Sequence, residues 1–155
     1  MTVAELLGLL RERRETVATC ESMTGGLVCA ALTSVPGSSD VVRGGLVTYA
    51  TDLKTALVGV PTDLVESYGV VSRQVAESMA EGVRQVCGSD WGVSVTGVAG
   101  PTGQEGQAPG SVWVAVSGRA RTDGVRLHLA GDRDSIRAAT VEAVLDLLGS
   151  RLTSP

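Results

Sequence analysis

The segment "CESMTGG", Cys20 to Gly26, places a serine between a predicted strand and a predicted helix. Ser22 would lie at the carboxyl end of that strand, where α/β sheets bind ligands and helix N-termini offer free N–H groups. Two interpretations stay open: Ser22 or Thr24 caps the helix, or Ser22 is a nucleophile. Gly25 and Gly26 would each cost roughly 0.5–1 kcal/mol in a first helical turn. Their presence favours a ligand that approaches the backbone closely, although the segment is not a G-x-S-x-G elbow.

A serine nucleophile needs a base, and the sequence offers few candidates. His128 is the only histidine, and it alternates with leucines on a predicted strand, which indicates a solvated face. Arginine is excluded because its pKa is above 12. Lys54 and Tyr49 remain, and Lys54 is the only lysine among 13 lysine and arginine residues. A place in the first turn of a helix, with burial, would favour the neutral amine that a base requires; the alternative is an ordinary surface lysine.

Two further segments could contact a ligand. The loop "GVAGPTGQEGQAPG", Gly97 to Gly110, is long and rich in Gly and Pro, so it could cradle a phosphate, cover a site or simply be mobile. It is not a Walker loop. In "GDRDSIR", Arg133 and Arg137 open the last predicted helix, and their guanidinium groups suit a phosphate. The alternative is that they are surface arginines beside helix caps.

Alternating helices and strands, followed by a late hairpin, predict the elements that must position these residues. Strands are predicted at Thr16–Glu21, Val41–Tyr49, Trp91–Thr96, Ser111–Ser117 and Val125–Leu129. Four helices are predicted from the Thr2 and Glu5 capping box to about Arg14, at Thr24–Thr33, at Thr51–Val58 with Thr51 as cap, and from Pro61 to Gly69. A fifth helix would follow a Ser72 cap and place Val75, Met79, Val83 and Val86 on one face. The last helix would be capped by Asp132 or Asp134 and place Ile136, Thr140, Val144 and Leu147 on one face. The fold class is therefore α/β, a single three-layer α/β/α domain over residues 1–155 with a mixed sheet.

Composition excludes several classes of protein. The chain has 155 residues, 43% of them hydrophobic, and a formal net charge of −4, which fits a globular domain and argues against a nucleic-acid partner. The order of charged and apolar residues at the N-terminus suits neither a signal peptide nor a membrane span, so no membrane partner is expected. Three cysteines without C-x-x-C spacing favour a reducing cytoplasm, and no metal-ligand set or cofactor is expected.

Six segments in order resemble the CinA C-terminal domain family, the nicotinamide-nucleotide amidohydrolases, also called NMN deamidases. They are "ESMTGG", "SVPGSSDVVRGGLVTYATDLKTALVGV", "YGVVSRQVAE", "TGVAGPTG", "PGSVWVA" and "GDRDSIRAAT". The resemblance runs from about Ala4 to Leu148 and implies a compact three-layer α/β domain. It also implies hydrolysis of the carboxamide of nicotinamide mononucleotide to nicotinate mononucleotide and ammonia.

By motif, the resemblance places the family's catalytic serine, tyrosine and lysine on Ser22, Tyr49 and Lys54. Lys54 would take the serine proton directly or through the Tyr49 hydroxyl. The N–H groups from Thr24 to Gly26 would hold either the oxyanion or the phosphate. The expected substrate-binding residues are Thr24, Gly25, Gly26, Thr96, Gly97, Gly100, Arg133 and Arg137.

The sequence departs from the family's usual motifs at four positions, which bear on substrate positioning more than on the chemistry. These are Met23, where the family usually has Cys; Thr51, where it commonly has Asn; and Gln104 and Ala108, where the loop commonly has "GG" and "KP". A non-catalytic nucleotide-binding module, or a partner module in competence or DNA damage, is the rival hypothesis. A homo-oligomer is also open, because one small Gly-rich domain offers limited surface to enclose a nucleotide.

Overall fold

The centre of the protein is a five-stranded sheet, seen in a computed structural model that describes residues 1–154. Its strands are β1 (Val17–Glu21), β2 (Val42–Val47), β3 (Trp91–Gly97), β4 (Ser111–Ser117) and β5 (Thr122–His128). The strand order is β2-β1-β3-β4-β5. β2, β1 and β3 are parallel to one another, β4 is antiparallel to β3, and β5 is antiparallel to β4. The carboxyl ends of β2, β1 and β3 therefore meet at one edge of the sheet, where ligand sites of α/β proteins form.

Helices cover both faces of this sheet. They are α1 (Val3–Arg13), α2 (Leu27–Thr33), α3 (Thr51–Val58), α4 (Thr62–Tyr68), α5 (Arg73–Cys87) and α6 (Arg133–Thr153), with a 3₁₀ turn at Ser38–Asp40. Buried side chains of α1, α2 and α6 pack on one face, and those of α3 and α5, with α4 against them, pack on the other. The prediction of a three-layer α/β fold with a mixed sheet is confirmed.

The predicted caps are confirmed at three helices. Thr2 and Glu5 form the capping box of α1, with the Thr2 N–H and the Glu5 N–H each donating to the other side chain. Ser72 caps α5, and Asp132, the first of the two predicted alternatives, caps α6 by accepting from the N–H of Ser135. These side chains satisfy N–H groups that have no partner within a helix.

Four details of the predicted elements are wrong. Strand β5 begins at Thr122 instead of Val125 and ends at His128, because the residues from 122 to 124 also pair with β4. Helix α2 begins at Leu27 instead of Thr24, because Gly25 and Gly26 have left-handed φ values of +59° and +107°. Thr51 is the first residue of α3, whose cap position is Ala50 and has no side-chain hydrogen bond. Val86 is 59% exposed and lies off the buried face of α5. Among residues 1–154, no helix is both long and apolar enough to cross a membrane.

Candidate active site

The turn after β1 presents the candidate nucleophile. Ser22 follows the strand directly; its N–H donates to the carbonyl of Val95 on β3 at 3.0 Å, and its carbonyl accepts from the Gly25 N–H at 3.1 Å. Only 8% of Ser22 is exposed. The left-handed conformations of Gly25 and Gly26 turn the chain sharply before α2 begins, so neither Ser22 nor Thr24 is the helix cap.

A buried carboxylate that the sequence analysis did not single out fixes this turn. Glu21 is 1% exposed and accepts three hydrogen bonds, from the Thr24 hydroxyl at 2.7 Å, the Val28 N–H at 2.8 Å and the Cys29 N–H at 3.0 Å. Two of these donors are free N–H groups of the first turn of α2, where negative charge is stabilised. Glu21 therefore accepts the hydrogen bonds that an N-cap side chain would otherwise accept. A carboxylate at the end of an otherwise apolar buried strand was the signal that could have revealed it.

The Lys54 side chain approaches Ser22 from the sheet face that α3 and α5 cover, which is opposite the face covered by α2. Lys54 lies in the first turn of α3, its side chain is fully buried, and its Nζ is 3.2 Å from Ser22 Oγ and 2.7 Å from the carbonyl oxygen of Thr48. Thr48 follows β2, which neighbours β1 in the sheet. Adjacent parallel strands therefore bring the serine and the lysine together.

The surroundings of Lys54 favour its neutral form. Burial lowers the pKa of Lys54 below its ordinary value of 10.5, and Lys54 makes no ion pair with a carboxylate within residues 1–154. The neighbouring Cys20 is no counter-ion at neutral pH, because burial raises the pKa of its thiol to about 11. A neutral amine can donate one N–H to the Thr48 carbonyl and accept the Ser22 hydroxyl proton with its lone pair. The geometry thus suits proton transfer from Ser22 to Lys54.

Tyr49 lies apart from this pair. Its side chain is 61% exposed, and its hydroxyl accepts a hydrogen bond from the guanidinium of Arg133 at 3.4 Å. Within the described chain its hydroxyl makes no hydrogen bond to Ser22 or Lys54. Of the two proton routes that the sequence left open, the direct one is present in this geometry.

Ser22 and Lys54 open onto a pocket of about 290 Å³ at the carboxyl ends of the parallel strands. Of the expected site residues, those that line it are Ser22, Tyr49, Lys54, Thr96, Gly97, Gly100 and Arg133. Those that do not are Thr24, Gly25, Gly26 and Arg137. The pocket therefore brings together the three expected catalytic residues and one of the two arginines.

Nearly the whole chain is similar to proteins of one family. The family model described as "CinA C-terminal domain" matches residues 2–152. The chain belongs to the CinA C-terminal domain family. It is 45% identical to a CinA-like protein of Myxococcus xanthus over 151 residues, which is 96% of this chain and 36% of that protein. The chain thus spans about a third of the length of such relatives.

Solved structures of the CinA family share the fold. The crystal structure of the competence/damage inducible protein CihA from Agrobacterium tumefaciens has a TM-score of 0.92 and 36% identity, covering 98% of this chain and 93% of that one. A competence or damage-inducible protein from Enterobacter asburiae has a TM-score of 0.94 and 28% identity, covering 99% of both chains.

The two arginines have different roles in this member of the CinA family. Arg133, an exposed residue, donates to the Gly100 carbonyl at 2.7 Å and to the Tyr49 hydroxyl, so it connects two parts of the pocket lining. Arg137 instead donates to the carbonyls of Met23 at 3.0 Å and Thr24 at 3.3 Å, behind the nucleophile turn. Arg137 therefore supports that turn, while Arg133 lines the pocket.

The departures from the usual CinA motifs mostly face the pocket. Met23, Thr51 and Gln104 line it, whereas Ala108 does not. His128 is exposed on β5, as its pattern predicts, and does not line the pocket. Among residues 1–154, no group of three or more His, Cys, Asp or Glu side chains could hold a metal ion.

Proposed function

We propose that this CinA-family chain hydrolyses the carboxamide of nicotinamide mononucleotide, releasing nicotinate mononucleotide and ammonia. The observation that supports this most is the fully buried Lys54 amine at 3.2 Å from Ser22 Oγ, at the wall of an open polar pocket. A neutral lysine beside a serine is an arrangement that activates the hydroxyl for attack on an acyl carbon.

In the first half of the reaction, Ser22 Oγ attacks the carboxamide carbon and its proton passes to Lys54 Nζ. The tetrahedral oxyanion needs an N–H donor. The N–H of Met23 is a candidate, because Met23 lines the pocket and this N–H has no acceptor within residues 1–154. Lys54 then returns its proton to the amide nitrogen as the C–N bond breaks, which gives ammonia and an ester on Ser22.

In the second half, water attacks the ester and gives a proton to Lys54. The C–O bond to Ser22 breaks and the proton on Lys54 returns to Ser22 Oγ. The carboxylic acid that forms gives its remaining proton to the solvent or to ammonia and leaves as nicotinate. Arg133 at the rim, with the loop at Gly100, would bind the 5′-phosphate away from the reacting carbon.

The decisive measurement is ammonia release from nicotinamide mononucleotide by the purified chain, compared with Ser22→Ala. We expect Ser22→Ala to lose at least about 10³-fold in kcat, because the nucleophile is removed. It should still bind the nucleotide in calorimetry and unfold at the wild-type temperature. Ser150→Ala, at an exposed position on α6, is the matched control.

Retention of more than a few per cent of the activity in Ser22→Ala would exclude the nucleophile role. Nucleotide binding without any turnover by the wild type would favour the binding-module hypothesis instead.

A further inference from the structure

The loop from Gly97 to Gly110 forms one wall of the pocket with its first half, residues 98–104. Its second half makes hydrogen bonds to the segment between α4 and α5. The Glu105 carboxylate accepts from the Val70 N–H at 3.0 and 3.3 Å, one distance to each oxygen. The Gln107 amide donates to the Val71 carbonyl at 2.9 Å. Neither Glu105 nor Gln107 lines the pocket itself.

The segment that receives these contacts belongs to the pocket as well. Val70 and Val71 are 7% and 3% exposed, connect α4 to α5 and line the same cavity. The Val70 carbonyl also accepts from the Thr96 hydroxyl at 3.1 Å, at the end of β3. The loop and the α4–α5 connection are thus joined at both ends of the wall that they share.

The backbone around Glu105 forms a tight two-residue turn, closed by hydrogen bonds of 3.0 and 2.8 Å between the backbone groups of Gln104 and Gln107. Gly106 and Glu105 are its central residues, with the left-handed φ values that such a turn requires, 72° at Gly106 and 51° at Glu105. The Oε2 of Glu105 lies only 2.8 Å from where a Cβ on Gly69 would be. The absence of a side chain at Gly69 lets the carboxylate reach the Val70 N–H.

We propose that Glu105 is a positioning residue, which holds the 98–104 wall in the conformation that receives the substrate. This role rests on the proposed amidohydrolase function. Removing the carboxylate would let the loop populate conformations that cannot bind, so apparent affinity would fall by the fraction that remains competent. The Ser22–Lys54 pair lies on other elements and would keep its chemistry.

The test compares Glu105→Ala with Glu105→Gln, which retains an oxygen acceptor for the Val70 N–H. Glu81→Ala removes an exposed carboxylate from α5 and is the matched control. We expect Glu105→Ala to raise KM for nicotinamide mononucleotide about five- to tenfold with kcat within about twofold, and Glu105→Gln to restore KM to within about twofold of the wild type. Unchanged KM in Glu105→Ala, a fall in kcat alone, or no rescue by glutamine would overturn the proposal.

A second readout does not depend on activity. Hydrogen exchange of the Val70 amide should accelerate at least about tenfold in Glu105→Ala and stay near wild type in Glu81→Ala. Unchanged exchange in Glu105→Ala would overturn the contact itself. If the wild type releases no ammonia, the proposed function fails, and with it the role in that reaction, while accelerated exchange would still establish that Glu105 fixes the loop.

Discussion

At the scale of single residues, the proposed reaction requires the amine of Lys54 to be neutral. Lys54 is fully buried, its nearest partners are a hydroxyl and a carbonyl, and it makes no ion pair within residues 1–154. A protonated lysine has three N–H donors, and these two acceptors leave the third without a partner in the described chain. Both burial and this shortage of acceptors favour the form that can accept a proton.

Substituting Lys54 by arginine tests whether the lysine acts through its charge or its lone pair. We expect Lys54→Arg to lose kcat nearly as completely as Lys54→Ala, because guanidinium stays protonated at every usable pH. Steady-state kinetics with folded variants would decide, and His128→Gln serves as a control that should stay within about a few fold of wild type. An active arginine variant would mean that Lys54 is an electrostatic contact.

The dependence of kcat/KM on pH tests, without a substitution, whether Lys54 acts as a neutral base. Burial lowers the pKa of Lys54, and the base is the neutral form, so kcat/KM should rise with pH through that lowered pKa and then level off. In stability the sign is also upward: between the folded and unfolded pKa values the unfolded chain binds more protons, so the free energy of unfolding rises with pH. Activity that instead falls as pH increases would show that the ammonium is required.

At the scale of elements, the parallel pairing of β1 with β2 places Ser22 beside Lys54. Thr19 on β1 pairs with Gly45 on β2, and a Cβ on Gly45 would lie 2.6 Å from Thr19 Oγ1 and 2.8 Å from Cys29 Sγ. A Cβ on Gly44, next to it, would meet nothing within 4 Å. Two neighbouring glycines therefore offer a matched pair of substitutions.

We expect Gly45→Ala to lower the free energy of unfolding by about 1–3 kcal/mol, because the strand must move away from β1 and α2. Gly44→Ala should be neutral or stabilising by roughly 0.5 kcal/mol, since alanine restricts the unfolded chain more than glycine. Urea unfolding of both variants measures this difference. Equal effects would mean that β2 adjusts freely, and that the β1–β2 spacing does not constrain the site.

Most of the elements could be predicted because their apolar periodicity and caps are local signals. The start of α2 could not, since the glycines adopt left-handed conformations and Glu21, from the preceding strand, replaces the cap. Residue type and position in the sequence predict Ser22 and Lys54 as candidate site residues, and the sheet brings their side chains together. The separation of Tyr49 from that pair, and the turning of Arg137 away from the pocket, depend on side-chain directions that no sequence pattern encodes.

At the scale of the whole molecule, the proposed function requires a chain of net charge −4 to attract an anionic nucleotide. Arg133 is exposed at the pocket rim, and no Asp or Glu of residues 1–154 lines the pocket, so its local charge opposes the overall charge even with Lys54 neutral. Such a local field guides a phosphate to one end of the pocket and is weakened by salt. The carboxamide would then lie at the other end, beside Ser22.

We expect nicotinamide mononucleotide to be cleaved at least about tenfold better than nicotinamide riboside, because a charge-assisted phosphate contact adds roughly 1.5–3 kcal/mol of remote binding. Arg133→Ala should remove most of this preference. Arg137→Ala should instead lower kcat/KM for both compounds alike, because Arg137 supports the nucleophile turn. The measurement is kcat/KM for both compounds with the wild type and the two variants, which gives three substrate ratios. A preference that survives Arg133→Ala would place the phosphate elsewhere on the pocket wall.

The solitary lysine also makes the folded protein a reporter of its own opening. An endoproteinase that cuts only after lysine has a single target bond in the chain, at Lys54, and that side chain is fully buried in α3. Cleavage into two fragments can then occur only in molecules where α3 has come away from the sheet. When reclosing is faster than cutting, the rate of cleavage measures the population of that open state, and so the local stability of α3.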